Sequence, residues 1–158
     1  MEGDVSMTGN IVGFVHSGIT VKDLENSLHF YVDKLGLKVL SKQVAQDEYI
    51  SRIVNFSSLK EIKIAFLEIP GGSQIEMLEY VGVERLSGSV RPCDYGSGHI
   101  CLLVNDLEQM YERLKKQGVK FRSENIVEIT AGANKGNKAI YMYDPDNYVI
   151  ELMEKKSL

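Results

Sequence analysis

The sequence predicts an α+β fold of two tandem modules, each a strand, a helix and three further strands (βαβββ). The main observation is an internal repeat: the ten-residue run that begins at His16 matches the run that begins at His99 at five positions. Each copy continues through apolar residues at helical spacing and stops at a glycine, Gly36 or Gly118. The chain of 158 residues has the length of one domain built from two such modules.

The first module is assigned to residues 11–81. Asp23 is an N-cap for a helix that begins at Leu24, and Gly36 suits the left-handed conformation that ends it. Strands are expected where β-branched and aromatic residues cluster, and a Pro-Gly-Gly turn precedes the last of them. The expected strands are 11–20, 37–44, 61–69 and 73–81, with a short extra helix within 46–58.

The second module is assigned to residues 98–155. Asp106 is an N-cap with Gln109 three residues later, a capping-box pattern, and the helix that follows is expected to end at Gly118. The expected strands are 99–104, 119–121, 138–143 and 148–154, with long loops at 82–98 and 125–137. Residues 1–10, which are polar and acidic, are expected to be a disordered arm ahead of this single two-module domain.

Composition excludes several classes of protein. The net charge of −4 without a basic stripe argues against a nucleic-acid partner, and no apolar run is long enough for a membrane helix. The two cysteines, Cys93 and Cys101, are too few and too irregularly spaced for a disulfide framework or a zinc ribbon. This cysteine usage fits the reducing cytoplasm best, so we expect a cytoplasmic protein.

The repeat also matches titratable residues. Each module has a histidine in its first strand, His16 or His99, and a glutamate inside an apolar last strand, Glu76 or Glu151. A carboxylate in such a strand needs a cation or water, and neither strand offers a lysine or arginine on the same face. Two histidines and two glutamates would suit a divalent ion. Each residue taken singly could equally be an ordinary strand residue facing core or solvent.

The motifs resemble those of a known family. They are the run from His16 to Asp23-Leu24, the strand around Glu76, Gly98-His99, and Asp144-Pro145-Asp146 leading to Glu151. This layout is similar to the vicinal oxygen chelate superfamily, which includes glyoxalase I, methylmalonyl-CoA epimerase, extradiol dioxygenases, and fosfomycin-resistance and bleomycin-binding proteins.

The resemblance implies a curved mixed sheet around one divalent ion (Ni, Co, Zn, Mn or Fe) and a homodimer as the default assembly. The ligands that it implies are His16, Glu76, His99 and Glu151. Whether one chain holds all four, or two chains share them, is left open by the sequence.

The function that this resemblance implies is a metal-dependent isomerase or lyase, which moves a proton next to a carbonyl, as lactoylglutathione lyases and epimerases do. Glu151 would be the catalytic base, and Glu48, in the inserted segment, a possible second catalytic carboxylate. Bacterial glyoxalases usually carry arginine and asparagine where this chain has Thr20 and Tyr80, which argues against a glutathione substrate.

Two alternatives belong to other functional classes. One is a non-haem iron dioxygenase of the extradiol type, although that family uses two histidines and one glutamate and would not need Glu76. The other is a non-catalytic protein that binds a small molecule such as an antibiotic, although bleomycin-binding members lack the metal ligands altogether.

Overall fold

The two repeated halves form two separate four-stranded mixed sheets, which confirms the predicted α+β fold of two modules. The computed structural model describes residues 9–88 and 91–156. In each sheet the first strand of the module lies at one edge, parallel to the last strand, and the remaining pairs are antiparallel. The strand orders are β1-β4-β3-β2 and β5-β8-β7-β6.

The elements follow the predicted order. Those of the first module are β1 (Ser17–Thr20), α1 (Leu24–Leu28), a π-helical segment (His29–Lys34), β2 (Lys38–Ala45), α2 (Glu48–Val54), β3 (Glu61–Glu68) and β4 (Gln74–Val81). Those of the second are β5 (His99–Val104), α3 (Leu107–Lys116), β6 (Val127–Glu128), β7 (Lys138–Tyr143) and β8 (Val149–Glu154).

Both module helices begin as predicted. The Asp23 carboxylate accepts a hydrogen bond from Asn26 N at 2.8 Å, and the Asp106 carboxylate accepts one from Gln109 N at 2.9 Å. A glutamate on the last strand of each module accepts a hydrogen bond from the first amide of the same helix. Glu79 accepts from Leu24 N at 2.8 Å, and Glu154 accepts from Leu107 N at 2.6 Å. These bonds fix each helix to its own sheet.

The structure differs from the prediction in three places. The first strand covers only Ser17–Thr20 rather than 11–20, because its partner strand begins at Gln74. Within 9–88 and 91–156, residues 9–16 therefore have no neighbouring strand. The strand predicted at 119–121 is reduced to one bridge between Phe121 and Met142. The strand that pairs with β7 is instead Val127–Glu128, inside the predicted loop.

The predicted helix from Leu24 to Gly36 changes its hydrogen-bonding pattern partway. After α1 the chain continues as a π-helix, in which Leu35 N donates to Phe30 O five residues earlier. Gly36 then adopts a φ of 80°, as expected for the helix end, and Gly118 has a φ of 77°. Residues 1–8, most of the expected disordered arm, lie outside the described residues.

One hydrophobic core is shared by both modules. It is formed by α1, the π-helical segment and α3, together with one face of each sheet. Ile75 and Met77 contribute from β4, and Ile150 and Leu152 contribute from β8; all four are fully buried. Since side chains alternate along a strand, Glu76 and Glu151 lie on the opposite faces of their sheets, away from this core.

Buried polar contacts join the two modules at the edge of the core. The Tyr31 hydroxyl donates to Asp144 Oδ2 at 2.9 Å, and both residues are buried. Asp144 Oδ1 also accepts from Asp146 N and Tyr148 N in the turn before β8. Burial raises the pKa of Asp144, although these three hydrogen bonds oppose the shift. The bond from Tyr31 therefore satisfies a buried carboxylate that is costly to leave without a partner.

Replacing Tyr31 with phenylalanine should lower the free energy of unfolding by about 1–3 kcal/mol, because Asp144 loses a donor in a buried site. The measurement is urea unfolding at neutral pH. Tyr143→Phe is a matched control, since the Tyr143 hydroxyl accepts from Arg122 in an exposed contact. Equal losses in the two variants would contradict a special role for the bond between the modules.

Candidate metal centre

The first predicted ligand pair lies on the face of the first sheet that points away from the shared core. His16 directly precedes β1, and its Nε2 atom is 2.9 Å from Glu76 Oε2. The His16 ring packs edge-on against Phe66, with ring centroids 5.6 Å apart. Gly18 lies opposite Glu76 in the register of β1 and β4, and its lack of a side chain leaves room beside the carboxylate. We call His16 and Glu76 the first half-site.

The second predicted pair has the same arrangement in the second sheet. His99 Nε2 lies 3.2 Å from Glu151 Oε2. The His99 ring packs against Tyr141 at a centroid distance of 5.1 Å, and the Tyr141 hydroxyl lies 3.4 Å from His99 Nε2. Cys101 is opposite Glu151 in the register of β5 and β8. We call His99 and Glu151 the second half-site.

The aromatic neighbours of the two half-sites are equivalent residues that the sequence analysis did not assign to the site. Phe66 pairs with Glu76 across β3 and β4, and Tyr141 pairs with Glu151 across β7 and β8. In each module, the pairing register of the last two strands therefore places the aromatic residue beside the glutamate. That register, read from the turn, was the signal that could have identified both aromatic residues.

Negative charge and partial burial dominate the surroundings of the second half-site. Burial, together with the neighbouring Glu151 carboxylate, raises the pKa of the Cys101 thiol to about 11. The same two causes raise the pKa of Tyr141. The raised pKa values keep both groups, the Cys101 thiol and the Tyr141 hydroxyl, in their neutral, protonated forms at neutral pH.

The donor set of the half-sites fits a divalent cation. The Glu76 and Glu151 side chains are only 19% and 14% exposed, and in the described part of the chain each forms its ion pair with a histidine rather than a lysine or arginine. Imidazole nitrogens and carboxylate oxygens suit first-row divalent ions, and two of each would neutralise a charge of +2.

One chain does not bring the four predicted ligands together. Among residues 9–88 and 91–156, no three His, Cys, Asp or Glu side chains are grouped closely enough to hold a metal ion. The structure instead arranges the four residues as two separate pairs, one on each sheet. A single chain therefore offers two half-sites.

Glu48, the predicted second carboxylate, is the exposed first residue of α2. Through Ile50 and Val54, α2 packs on a small cluster on the same sheet face as Glu76. Its other apolar side chains remain exposed: Tyr49 is 52% and Ile53 71% exposed. Glu48 is thus at the border of the first half-site's face, without a described contact to either pair.

The residues at the two positions that distinguish glyoxalases give this face an uncharged character. Tyr80 lies on it and packs edge-on against Phe56 with ring centroids 6.2 Å apart. Thr20 is exposed at the end of β1, opposite Leu78. Neither residue carries a cationic or amide side chain.

Comparison with known proteins places this chain in a family. Residues 13–152 match the model of the Glyoxalase/Bleomycin resistance protein/Dioxygenase superfamily. A glyoxalase family protein from Bacillus cereus has the same fold, with a TM-score of 0.80 at 20% identity over 94% of this chain and 97% of that one. The chain belongs to this superfamily, as its sequence motifs indicated.

Curated relatives of this chain include a lyase and an epimerase. Lactoylglutathione lyase from Schizosaccharomyces pombe is 27% identical over 89% of this chain, which spans 46% of the length of that enzyme. The 2-epi-5-epi-valiolone epimerase from Actinomyces sp is 25% identical over 87% of this chain and 76% of its own length. The family model over residues 13–152 is what shows the superfamily, and at these identities the reactions of the two relatives are said of those proteins alone.

Replacing either of two glutamates on β4 should change the free energy of unfolding by different amounts in protein treated with a chelator. Glu79→Gln should lower the free energy of unfolding by about 1 kcal/mol, because it weakens charge-assisted hydrogen bonds to Leu24 N and Lys63. Glu76→Gln should change it by less than about 0.5 kcal/mol, because its only described ion-pair partner is the partly exposed His16. Urea unfolding of both variants measures the difference.

The effect of Glu79 should also depend on pH. Although partial burial opposes it, the hydrogen bonds from Lys63 and Leu24 N lower the pKa of Glu79 in the folded protein. Its stabilisation is then complete above the pKa of the unfolded chain and lost as the pH falls through the lowered folded value. A destabilisation by Glu79→Gln that persisted in strong acid, or a larger effect from Glu76→Gln, would contradict these assignments.

Proposed function

We propose that this protein is a metal-dependent isomerase or lyase that transfers a proton at a carbon next to a carbonyl group. The observation that carries the proposal is the pair of equivalent His–Glu half-sites, each on a sheet face turned away from the core. Membership of the superfamily supports it, since named relatives include a lyase and an epimerase.

The complete metal centre, in this proposal, forms between two copies of the chain. Each copy has one half-site of each kind, and the shared core keeps the two on separate sheets. A two-fold dimer would place the first half-site of one protomer against the second half-site of its partner, twice. The ligands of each ion would then be His16, Glu76, and the partner's His99 and Glu151.

The bound divalent ion (Ni, Co, Zn, Mn or Fe) would act as a Lewis acid that polarises a substrate carbonyl and makes the adjacent carbon more acidic. The chain's own residues then supply binding and proton transfer. Glu151 is the base that takes the proton, in a partly buried site where its negative charge has few competing partners. The neutral Tyr141 hydroxyl beside it can donate a hydrogen bond to a substrate oxygen.

Glu48 is proposed as the second carboxylate that an epimerase requires, one that returns the proton from the opposite side of the carbon. It begins α2, which packs on the face of the first half-site. In a dimer this face would meet the partner's Glu151 across the ion, so the two carboxylates would come from different chains.

The substrate is proposed to be a small oxygenated molecule rather than a glutathione adduct. The uncharged Thr20 and Tyr80, and the aromatic residues around Glu76, favour a weakly charged substrate. The free thiols of Cys93 and Cys101, which form no disulfide, suit the reducing cytoplasm that we propose as the location. In the described residues no helix has the length and apolar character to cross a membrane.

Replacing Glu151 with glutamine should reduce proton exchange by at least about 100-fold, because the amide cannot accept the proton. The assay is NMR detection of deuterium incorporation from heavy water into methylglyoxal–thiol adducts, acyl-CoA thioesters and keto sugars. Glu128→Gln, an exposed carboxylate on β6 of the same sheet, is the control and should exchange at the rate of the unchanged protein.

Two results would replace the proposal with an alternative. Cleavage of catechols by iron-loaded protein with oxygen, without exchange in any candidate, would indicate a dioxygenase. Tight binding of a small molecule by protein that retains no stoichiometric metal would indicate a non-catalytic binding protein.

Mixing two inactive variants tests the sharing of ligands between chains. His16→Ala and His99→Ala should each lose high-affinity Co²⁺ binding, because every site then lacks one of four ligands. After unfolding and refolding together, half the dimers are mixed and each has one intact site, so about a quarter of the sites should recover. Calorimetric titration with Co²⁺ measures this fraction. No recovery would mean that each ion is held within one chain.

A further inference from the structure

The segment that leads into the first half-site is apolar and almost fully exposed. We call residues 9–15 the N-terminal arm. Ile11 is 95% exposed, Val12 99%, Phe14 72% and Val15 80%. Four large apolar side chains within five residues form an exposed apolar patch of the kind that marks an interaction site. The arm has an irregular conformation, and in the part of the chain that the structure describes no strand of its own module lies beside it.

The second sheet has an open edge of matching length. β5 is the edge strand, and within the described residues it pairs only with β8. Its six residues extend over about 20 Å, and the seven residues of the arm in strand conformation would span about 23 Å. Leu103 on β5 is 64% exposed, so this edge also carries an uncovered apolar side chain. Exposed strand edges of this kind bind further strands.

The proposed dimer brings the arm to this edge. When equivalent modules of two protomers face each other about an approximate two-fold axis, β1 and the partner's β5 run in opposite directions. His16 and the partner's His99, which stand at the starts of these strands, lie near the axis. From the axis, β1 runs in one direction and the partner's β5 runs in the opposite direction. The residues just before His16 lie on the side of the axis towards which the partner's β5 runs, so they extend alongside that strand.

We propose that the N-terminal arm forms an antiparallel strand on the β5 edge of a second copy of this chain. This inference rests on the proposed function for the placement of the two half-sites. The arm would bury its four apolar side chains and supply the backbone partners that the β5 edge lacks. It would also position His16, which follows it directly, against the partner's second half-site.

The test compares dimer stability in two charged variants. The double variant Val12→Asp with Phe14→Asp should raise the dimer dissociation constant by roughly 100-fold, because two apolar side chains can no longer be buried. Val127→Asp is the control, because Val127 is 57% exposed on β6, at the opposite edge of the second sheet. Sedimentation equilibrium gives the dissociation constants, and circular dichroism checks that both variants keep the fold.

Hydrogen exchange locates the contact. In the unchanged dimer the β5 amides that point away from β8 should be protected, and in the double variant they should exchange as freely as in a monomer. This loss of protection at β5 is not expected if the arm contributes only to folding of its own module.

The outcomes separate the arm from the metal centre. The first outcome is a dimer that binds Co²⁺, is equally stable in the double variant and leaves the β5 amides unprotected. This outcome overturns the proposed contact of the arm with β5 but does not affect the proposed function. The second outcome is a dimer that binds no Co²⁺ and is less stable in the double variant. This outcome supports the contact of the arm with β5 and overturns the proposed metal centre. A monomer in the unchanged protein overturns both.

Discussion

The packing of the two modules against each other through their helices determines the rest of the molecule. Both sheets use one face to build a single core, and the bond from Tyr31 to the buried Asp144 joins the modules at its margin. Each sheet therefore turns its second face outward, and the histidine and glutamate of each repeat lie on these outer faces. The four candidate ligands are divided into two pairs because the inner faces of both sheets are used for the common core.

The fold was largely predictable because the repeat constrains each half by the other. Matching caps at Asp23 and Asp106 and matching glycine ends fixed both helices without any knowledge of tertiary structure. The errors lie where pairing depends on residues distant in sequence. The apolar run before Ser17 has strand composition, yet its strand begins only where β4 provides a partner. Val127–Glu128 pairs with β7 although its local sequence is typical of a loop.

The candidate site was predictable to the level of residue pairs. The repeat identifies one histidine and one glutamate in each module, and the structure shows that the two residues of each module lie 2.9 Å or 3.2 Å apart. Whether the two pairs meet depends on how the modules pack against each other. Local sequence patterns carry no information about that packing. The π-helical segment at His29–Lys34 was likewise hidden, since the apolar spacing of α- and π-helices is similar over six residues.

The most direct test of a metal centre made from two half-sites is the coordination of the bound ion. X-ray absorption spectroscopy of Ni²⁺-loaded protein, combined with metal analysis, gives the number of imidazole ligands and the ions bound per chain. The account predicts one ion per chain with two imidazoles, and loss of that centre when either His16 or His99 is replaced. Two ions per chain with one imidazole each would show that the half-sites act separately, and would contradict it.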